Sequence, residues 1–231
     1  ISAWLADPYS PTLSFLNTEA RTAQQLMGDV LTTNGASLGW TVDWQIDDWL
    51  VPGGAWSHQG SYMRALTTIA EAAGAYIQPH PNTKVLRVLP RYPVKPWEWG
   101  TATPDIELPS AVVTRESIRW EEHPAYNAVY VTGTQAGIIG QVKRTGSAGD
   151  VIAPMVSDPL ITQPAAARQR GIAVLGKTGR IATVGLSLPV LPATGVILPG
   201  KTVRYVDGSD ARIGVVRSVS VDAALPSVRQ T

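Results

Sequence analysis

The sequence of 231 residues contains no cysteine, one phenylalanine and charged residues at only 16% of its positions. The absence of cysteine excludes a disulfide framework and any metal site with thiolate ligands. No apolar run approaches the roughly 20 residues that a membrane-spanning helix requires, and no signal peptide is visible, so we expect no stable membrane insertion. The chain begins at Ile1 rather than at methionine, from which we expect a processed product or a fragment that lacks an upstream domain.

Proline and glycine are abundant where charge is scarce. Eighteen prolines and 21 glycines predict many turns and short strands, and a charged share below the usual ~25% predicts surface that an assembly covers. The net charge of +1 is uneven, since residues 1–110 carry 6 Lys/Arg and 10 Asp/Glu (−4) and residues 111–231 carry 13 and 8 (+5). Two differently solvated domains explain this asymmetry, and complementary docking between subunits or contact with nucleic acid is the alternative.

The positions of glycine and proline and the apolar patterns between them predict an α+β, β-rich protein in four parts. Residues 1–17 read as an N-terminal arm or linker, and residues 18–92 as a small α+β domain with two helices and several strands. Residues 93–110 are a Pro- and Trp-rich joining segment, and residues 111–231 predict a tube-like β-barrel with one helix. No repeat of 20–50 residues is present.

The α+β domain has the clearest local signals. Apolar spacing predicts helices over 18–32 and 61–73, the second ended by Gly74. A hairpin is expected from strands 75–78 and 84–89. Between the helices, five apolar residues alternate strictly with polar ones, which predicts a strand over 38–46 whose tryptophans face a core: Leu38, Trp40, Val42, Trp44 and Ile46.

The second half of the chain alternates strand patterns with one helical segment. Strands are expected within 126–133, 137–146, 182–208 and 211–222, and a helix within 157–179. A single helix among so many strands predicts a small barrel with a helix over one opening or edge.

The segment Gly171–Thr178 satisfies the phosphate-loop pattern G-x-x-x-x-G-K-[ST] letter for letter. That motif binds phosphate only when it leaves a strand and opens a helix, so that free N–H groups point at the ligand. Here the helical pattern precedes the segment and the strand pattern follows it. The order therefore predicts no nucleotide binding, with Gly176 capping the helix and Lys177 near its negative end.

No catalytic, cofactor-binding or metal-binding residue is assigned, and we expect a protein that is not an enzyme and needs no cofactor. The three histidines have no metal-ligand spacing, and neither H-E-x-x-H nor G-x-S-x-G occurs. A glycosidase requires two carboxylates across a cleft, and exposed strand faces explain the candidate side chains more simply. The candidates considered are Asp43, Asp47, Asp48, Glu98, Glu107, Glu121, Glu122, His58, His80 and His123.

Trp97 and Trp99 lie in the joining segment, where burial inside one domain is harder to achieve. Tryptophan anchors protein interfaces and also stacks on sugars. We predict packing within or between subunits, and glycan binding through these two residues is the alternative.

Motifs along the chain resemble the baseplate-hub, or tail-hub, family of tailed bacteriophages. The resemblance extends over most of residues 60–222, and the order of the motifs carries it more than any single one. The motifs are YMRALTTIAEAAGA, VLRVLPRYP, NAVYVTG, DPLITQPAAARQRG, LSLPVL, GVILPGKTVRYVD and GVVRSVSVD.

The resemblance implies a structural protein of a phage or prophage tail baseplate. Hub proteins form a homotrimeric ring that joins the tail tube to a spike or fibre, contacts distal tail proteins and surrounds the channel through which DNA passes without sequence-specific binding. Such a protein assembles in the host cytoplasm and ends in the virion, at the tail tip. Family members carry two tube-like barrels, whereas only one is apparent here. The alternatives are a glycan-binding module of a virion that recognises the host envelope and a cell-wall hydrolase.

Overall fold

A computed structural model describes residues 5–135, 137, 139–224 and 227–231. Residues 1–4 of the predicted arm and residue 138 of the predicted strand 137–146 lie outside the described residues.

The chain is β-rich and of the predicted α+β class. Its helices are α1 (Ala23–Val30), α2 (Tyr62–Ala72) and α3 (Pro164–Leu175). Its strands are β1 (Leu13–Leu16), β2 (Arg21–Thr22), β3 (Thr32–Thr33), β4 (Ala36–Ser37), β5 (Thr41–Trp44), β6 (Leu50–Val51), β7 (Ser57–Gly60), β8 (Ala75–Pro79), β9 (Val85–Pro90), β10 (Ile106–Pro109), β11 (Arg115–Glu122), β12 (Ala128–Gly133), β13 (Ile139–Lys143), β14 (Ile152–Asp158), β15 (Arg180–Pro189), β16 (Thr202–Asp207), β17 (Asp210–Val215), β18 (Val221–Ala224) and β19 (Ser227–Gln230).

The chain forms two compact units, each built from two separate segments. Unit 1 comprises Ile1–Arg91 and Tyr126–Leu175, and unit 2 comprises Tyr92–Ala125 and Gly176–Thr231. This division differs from the predicted boundaries, because the middle of the predicted barrel domain 111–231 belongs to unit 1. None of the helices in the described part of the chain is long and apolar enough to cross a membrane.

Helix α1 begins later than its apolar spacing predicts. The Thr22 side chain accepts the N–H of Gln25, and the Gln25 side chain accepts the N–H of Thr22, a reciprocal capping box. The helix does not extend upstream because Arg21 and Thr22 form β2, which pairs antiparallel with β6. The prediction over 18–32 is therefore confirmed only for Ala23–Val30.

Helix α2 and the strands after it follow the predictions closely. Ser61 caps α2 by accepting the N–H of Arg64. Gly74 follows the helix with φ of +69°, in the left-handed region where a side chain is disfavoured. The predicted helix over 61–73 is thus confirmed. Strands β8 and β9 pair antiparallel as the predicted hairpin.

The predicted strand over 38–46 has the expected facing but not the expected length. Its regular part is only β5, which pairs parallel with β9. Gly39 interrupts the run with φ of +76°. The alternating apolar side chains still pack, partly buried, against the core of unit 1, as predicted: Leu38, Trp40, Val42, Trp44 and Ile46.

Residues 126–175 join unit 1 through buried contacts. In this segment α3 packs on a three-stranded sheet ordered β13-β12-β14. Leu160 belongs to the core of unit 1, and its carbonyl accepts the indole N–H of Trp49 at 2.7 Å. The Thr162 hydroxyl donates to the Leu50 carbonyl at 2.5 Å. These partners are more than 100 positions apart, so no local pattern indicates them.

Unit 2 contains two sheets and a small core. The sheets are ordered β10-β16-β17 and β11-β15-β19-β18. Buried Gln230 accepts the Ile197 N–H at 2.8 Å and donates to the Gly195 carbonyl at 3.1 Å. The strand pairings among the described residues close no barrel, so the predicted barrel is not confirmed; β12, β13 and β14 are part of unit 1 instead. The buried apolar residues of this core are Leu108, Leu188, Ile197, Val203 and Tyr205.

Candidate functional site

The phosphate-loop-like segment is the end of a helix. Its first five residues form the last turns of α3, and β15 starts shortly after it, so the predicted order of helix and strand is confirmed. A Cβ atom on Gly171 would lie 2.5 Å from the Val142 side chain, which explains the glycine by the packing of α3 on β13. Arg144 donates to the Leu175 carbonyl at 2.9 Å, which places a cation at the negative end of the helix.

We therefore expect no nucleotide binding at Gly171–Thr178. The N–H groups of a helix interior are occupied by the helix itself, whereas phosphate binding needs the free N–H groups of a helix start. Titration calorimetry with ATP and Mg²⁺ should show no binding heat for the wild type or for Lys177→Ala. Micromolar binding by the wild type that disappears in Lys177→Ala would contradict this assignment.

The candidate carboxylates of unit 1 have structural partners. Asp43 is half-buried and accepts the side-chain N–H of Gln45 at 2.7 Å. Asp48 accepts the backbone N–H groups of Gln24 at 3.1 Å and Trp49 at 2.9 Å. Asp47 is exposed, and its backbone carbonyl, not its carboxylate, accepts a bond from Gln169. These contacts hold loops in place.

The candidate carboxylates of unit 2 form surface ion pairs. Each pair has partly exposed side chains, a setting in which such contacts contribute little to stability. The described residues contain no group of three or more side chains suited to hold a metal ion. The pairs are Glu98 with Lys95 at 2.9 Å, Glu107 with Arg204 at 3.2 Å, Glu122 with Arg180 at 4.0 Å, and Glu121 with Arg119 at 3.5 Å and His123 at 3.7 Å.

Trp97 and Trp99 lie in a short 3-10 turn, Pro96–Thr101, and both are half-buried. Trp99 donates its indole N–H to the Val94 carbonyl at 3.0 Å, and its ring lies 6.3 Å from that of Tyr92. The guanidinium of Arg217 in turn lies 4.8 Å above the Tyr92 ring. These contacts favour the packing interpretation over a sugar-binding platform for Trp99.

The four-stranded sheet of unit 2 has exposed outer strands. Among the described residues β11 pairs only with β15, which makes it an edge strand, and all eight of its residues are exposed. β18 is the opposite edge, and its four residues are exposed as well. An exposed edge offers unpaired N–H and C=O groups to another strand, and charged side chains guard it against indiscriminate pairing. The charged residues of β11 are Arg115, Glu116, Arg119, Glu121 and Glu122.

One face of the β11–β15 pair carries an exposed apolar group. Ile118 and Trp120 point to the same face of β11 and are 37% and 50% exposed. Arg180 is opposite Glu122 and two residues before Ala182, the partner of Trp120, and its guanidinium lies 4.2 Å above the indole ring. This cation–π contact holds the ring in place while half of it faces solvent. Sequence analysis assigned Trp120 no role, because neighbouring charges mask it in the pattern of β11.

Glu116 ties the same face of β11 to the other sheet of unit 2. Its carboxylate accepts the Tyr205 hydroxyl at 2.8 Å and the Arg212 guanidinium at 2.9 Å. The hydrogen bond to this carboxylate raises the pKa of Tyr205 above its usual value, and burial raises it further. β11 is thus anchored near its start, while Ile118 and Trp120 extend beyond the anchor.

The fold is shared with two tail proteins. No protein-family model matches the chain, and no curated protein matches it in sequence. The tail protein from Neisseria meningitidis MC58 matches with a TM-score of 0.57 and 15% identity, over 95% of this chain and 68% of that one. The 43 kDa tail protein of prophage MuSo2 from Shewanella oneidensis matches with a TM-score of 0.53 and 14% identity, over 94% of this chain and 63% of that one. At these identities the likeness concerns the fold.

Proposed function

We propose that the chain is a non-enzymatic structural component of a phage or prophage tail, and that it acts in the baseplate hub. The fold shared with two tail proteins supports the tail assignment. The hub motifs in the sequence support the finer position, with the tail tube, distal tail proteins and a spike or fibre as partners. In this role the protein surrounds the DNA exit channel, and its location is the tail tip of the virion after assembly in the host cytoplasm.

We base the proposal of a homotrimeric ring on β11 and β18, the two outer strands of the four-stranded sheet. All three pairings inside this sheet are antiparallel: β11 with β15, β15 with β19, and β19 with β18. β11 pairs with Arg180–Ser187 of β15, whereas β19 of the β18–β19 hairpin pairs with Leu188 and Pro189. β18 of one copy therefore lies beside β11 of the next, and antiparallel to it, only where the strands are tilted against the ring axis. Such a contact between outer strands is head-to-tail, and closed rings are the form in which contacts of this kind do not grow into filaments.

Exposed apolar side chains on β11 and β18 support the same arrangement. Ile118, Trp120 and Val221 leave 37%, 50% and 46% of their surfaces exposed on the two edge strands. Exposed apolar groups of this kind mark contact surfaces when they are contiguous. In the proposed ring they lie on strands that become neighbours, so the contact between copies includes apolar side chains.

We expect Trp120→Ala to weaken ring formation without unfolding the protein. A central interface tryptophan contributes about 2 kcal/mol or more to binding, which is about 30-fold in the dissociation constant. Light scattering coupled to size exclusion, with negative-stain microscopy of the full-length product, measures the effect. Arg119→Ala is the matched control, since Arg119 is the next residue, points to the opposite face and has an 81% exposed side chain.

Two outcomes would count against the ring. One is a full-length product that stays monomeric at high concentration and forms no rings in micrographs. The other is a ring that Trp120→Ala and Arg119→Ala affect equally, which would move the contact away from the apolar face of β11.

A further inference from the structure

A shallow groove in unit 1, wide open to solvent and about 660 Å³ in volume, has no part in the proposed ring contact. Its lining comes from α1, from the chain around β4 and β5, and from Asp48. This volume is in the range of pockets that hold small organic ligands. The lining includes Gln24, Gln25, Gly28, Ser37, Trp40 and Asp48.

At Gly28 no side chain projects into the groove. It lies inside α1, where glycine is less favourable than alanine. A Cβ atom on Gly28 would meet no other atom within 4 Å, so neither packing nor a close backbone approach requires a glycine here. Its φ is not positive, so the backbone does not require one either. The feature that Gly28 does provide is open space beside the helix.

Trp40 supplies an aromatic surface in the same groove. It is half-buried and packs against the core of unit 1, which restricts the motion of its ring, and it is one of the residues that line the groove. A rigid indole binds flat, weakly polar faces with little loss of conformational freedom. The C–H face of a pyranose ring is such a surface.

The polar groups of the groove are held in place with bonding capacity to spare. The two N–H groups that bind Asp48 both contact its Oδ1 atom, and a carboxylate has a second oxygen that accepts as well. The Ser37 Oγ atom accepts the N–H of Gly39 at 3.1 Å, and its own O–H remains a donor for a ligand. The carboxamide of Gln24 adds one acceptor and two donors.

The charge of the lining selects among ligands. Asp48 is the one charged residue among those that line the groove in the described part of the chain, and no lysine or arginine accompanies it. A site without cations does not suit phosphate groups or nucleic acid. A neutral molecule with hydroxyl groups on its rim and an apolar face fits an indole, a carboxylate, a hydroxyl and an amide.

From this lining we infer that the groove binds a neutral saccharide. One pyranose ring stacks on Trp40 beside the bare wall at Gly28, and its hydroxyls bond to Asp48, Ser37 and Gln24. For a tail protein, such a site provides contact with glycans of a cell surface. The inference stands on the groove alone and does not depend on ring formation.

The test uses a variant that fills the groove without damaging the fold. Gly28→Leu places a large side chain in the open space, and Gly28→Ala adds only a methyl group. Leucine and alanine both favour helices over glycine, so both variants should melt at or above the wild-type temperature. An array of immobilised glucose, galactose, mannose and N-acetylglucosamine oligomers identifies the strongest binder, and calorimetry then measures its affinity.

We expect Gly28→Leu to lose at least tenfold in affinity for that oligomer and Gly28→Ala to stay within about twofold. Asp48→Asn, which keeps the oxygen that accepts the two N–H groups, should weaken binding several-fold. Binding of none of the oligomers, or equal binding by Gly28→Leu and the wild type, would overturn the inference. So would a Gly28→Leu variant that fails to self-associate in light scattering while the wild type binds no sugar, because the groove would then be a protein contact.

Discussion

Replacing Trp49 with alanine is expected to lower the free energy of unfolding by about 3–5 kcal/mol, as for other large buried aromatic residues. Trp49 is 1% exposed, and its ring lies 5.8 Å from that of Trp44. Its indole N–H also occupies the Leu160 carbonyl. The alanine variant therefore leaves a cavity and an unpaired buried carbonyl at the place where the two segments of unit 1 meet. Equilibrium denaturation with urea measures the change.

Two further variants separate the causes of this loss. Trp49→Phe keeps much of the apolar volume and removes the N–H, so we expect a smaller loss of about 1–3 kcal/mol from the unpaired carbonyl. Thr41→Ala removes an exposed side chain from β5 and should change stability by less than about 0.5 kcal/mol. If Trp49→Ala were as mild as Thr41→Ala, Trp49 would not be a core residue.

Replacing Gly133 with alanine is expected to destabilise unit 1 by about 3 kcal/mol, at the upper end of the usual cost of overpacking. Gly133 is the last residue of β12 and is opposite Asp158 of β14. A Cβ atom there would overlap the backbone carbonyl of Ile161. Because the obstacle is backbone rather than a flexible side chain, the strand and the segment before α3 must separate to accommodate it.

Gly28→Ala is the matched control for Gly133→Ala, since both add one methyl group to a glycine without a positive φ. At Gly28 the methyl group meets nothing, and we expect a gain of about 0.5–1 kcal/mol from helix propensity. Thermal or urea unfolding of the two variants should thus show changes of opposite sign. A Gly133→Ala variant as stable as the wild type would contradict the close approach of β12 to Ile161.

The close approach of β12 to Ile161 explains why the NAVYVTG motif ends in glycine. Gly133 lets β12 approach the chain that leads into α3, while Gly171 in α3 lets the helix approach Val142 of β13. Both glycines lie within sequence motifs noted above, NAVYVTG and DPLITQPAAARQRG. These motifs thus include positions that the packing of α3 and of the chain before it on the β13-β12-β14 sheet requires.

Elements with local causes were predictable from the sequence. For α2, 14 consecutive residues contain all the signals: the Ser61 cap, the apolar spacing and the left-handed Gly74. The hairpin after the helix is equally local. The order of helix and strand around Gly171–Thr178 follows from the same kind of signal. The alternation over 38–46 predicted which side chains face a core, because the side-chain period of an extended chain is two whatever its partner.

Partners distant in the chain were decided only by the tertiary structure. The strand over 38–46 is shorter than predicted, since only β5 has a neighbouring strand, β9. Residues 126–175 belong to unit 1, and one of the contacts that join them to it links Trp49 to Leu160, 111 positions away. The open edges of β11 and β18 likewise follow from the order of four strands spread over more than 100 residues. Spacing along the chain specifies which face of a segment is apolar. It does not specify which segment covers that face, because many pairings bury similar apolar area and only the packed structure selects one.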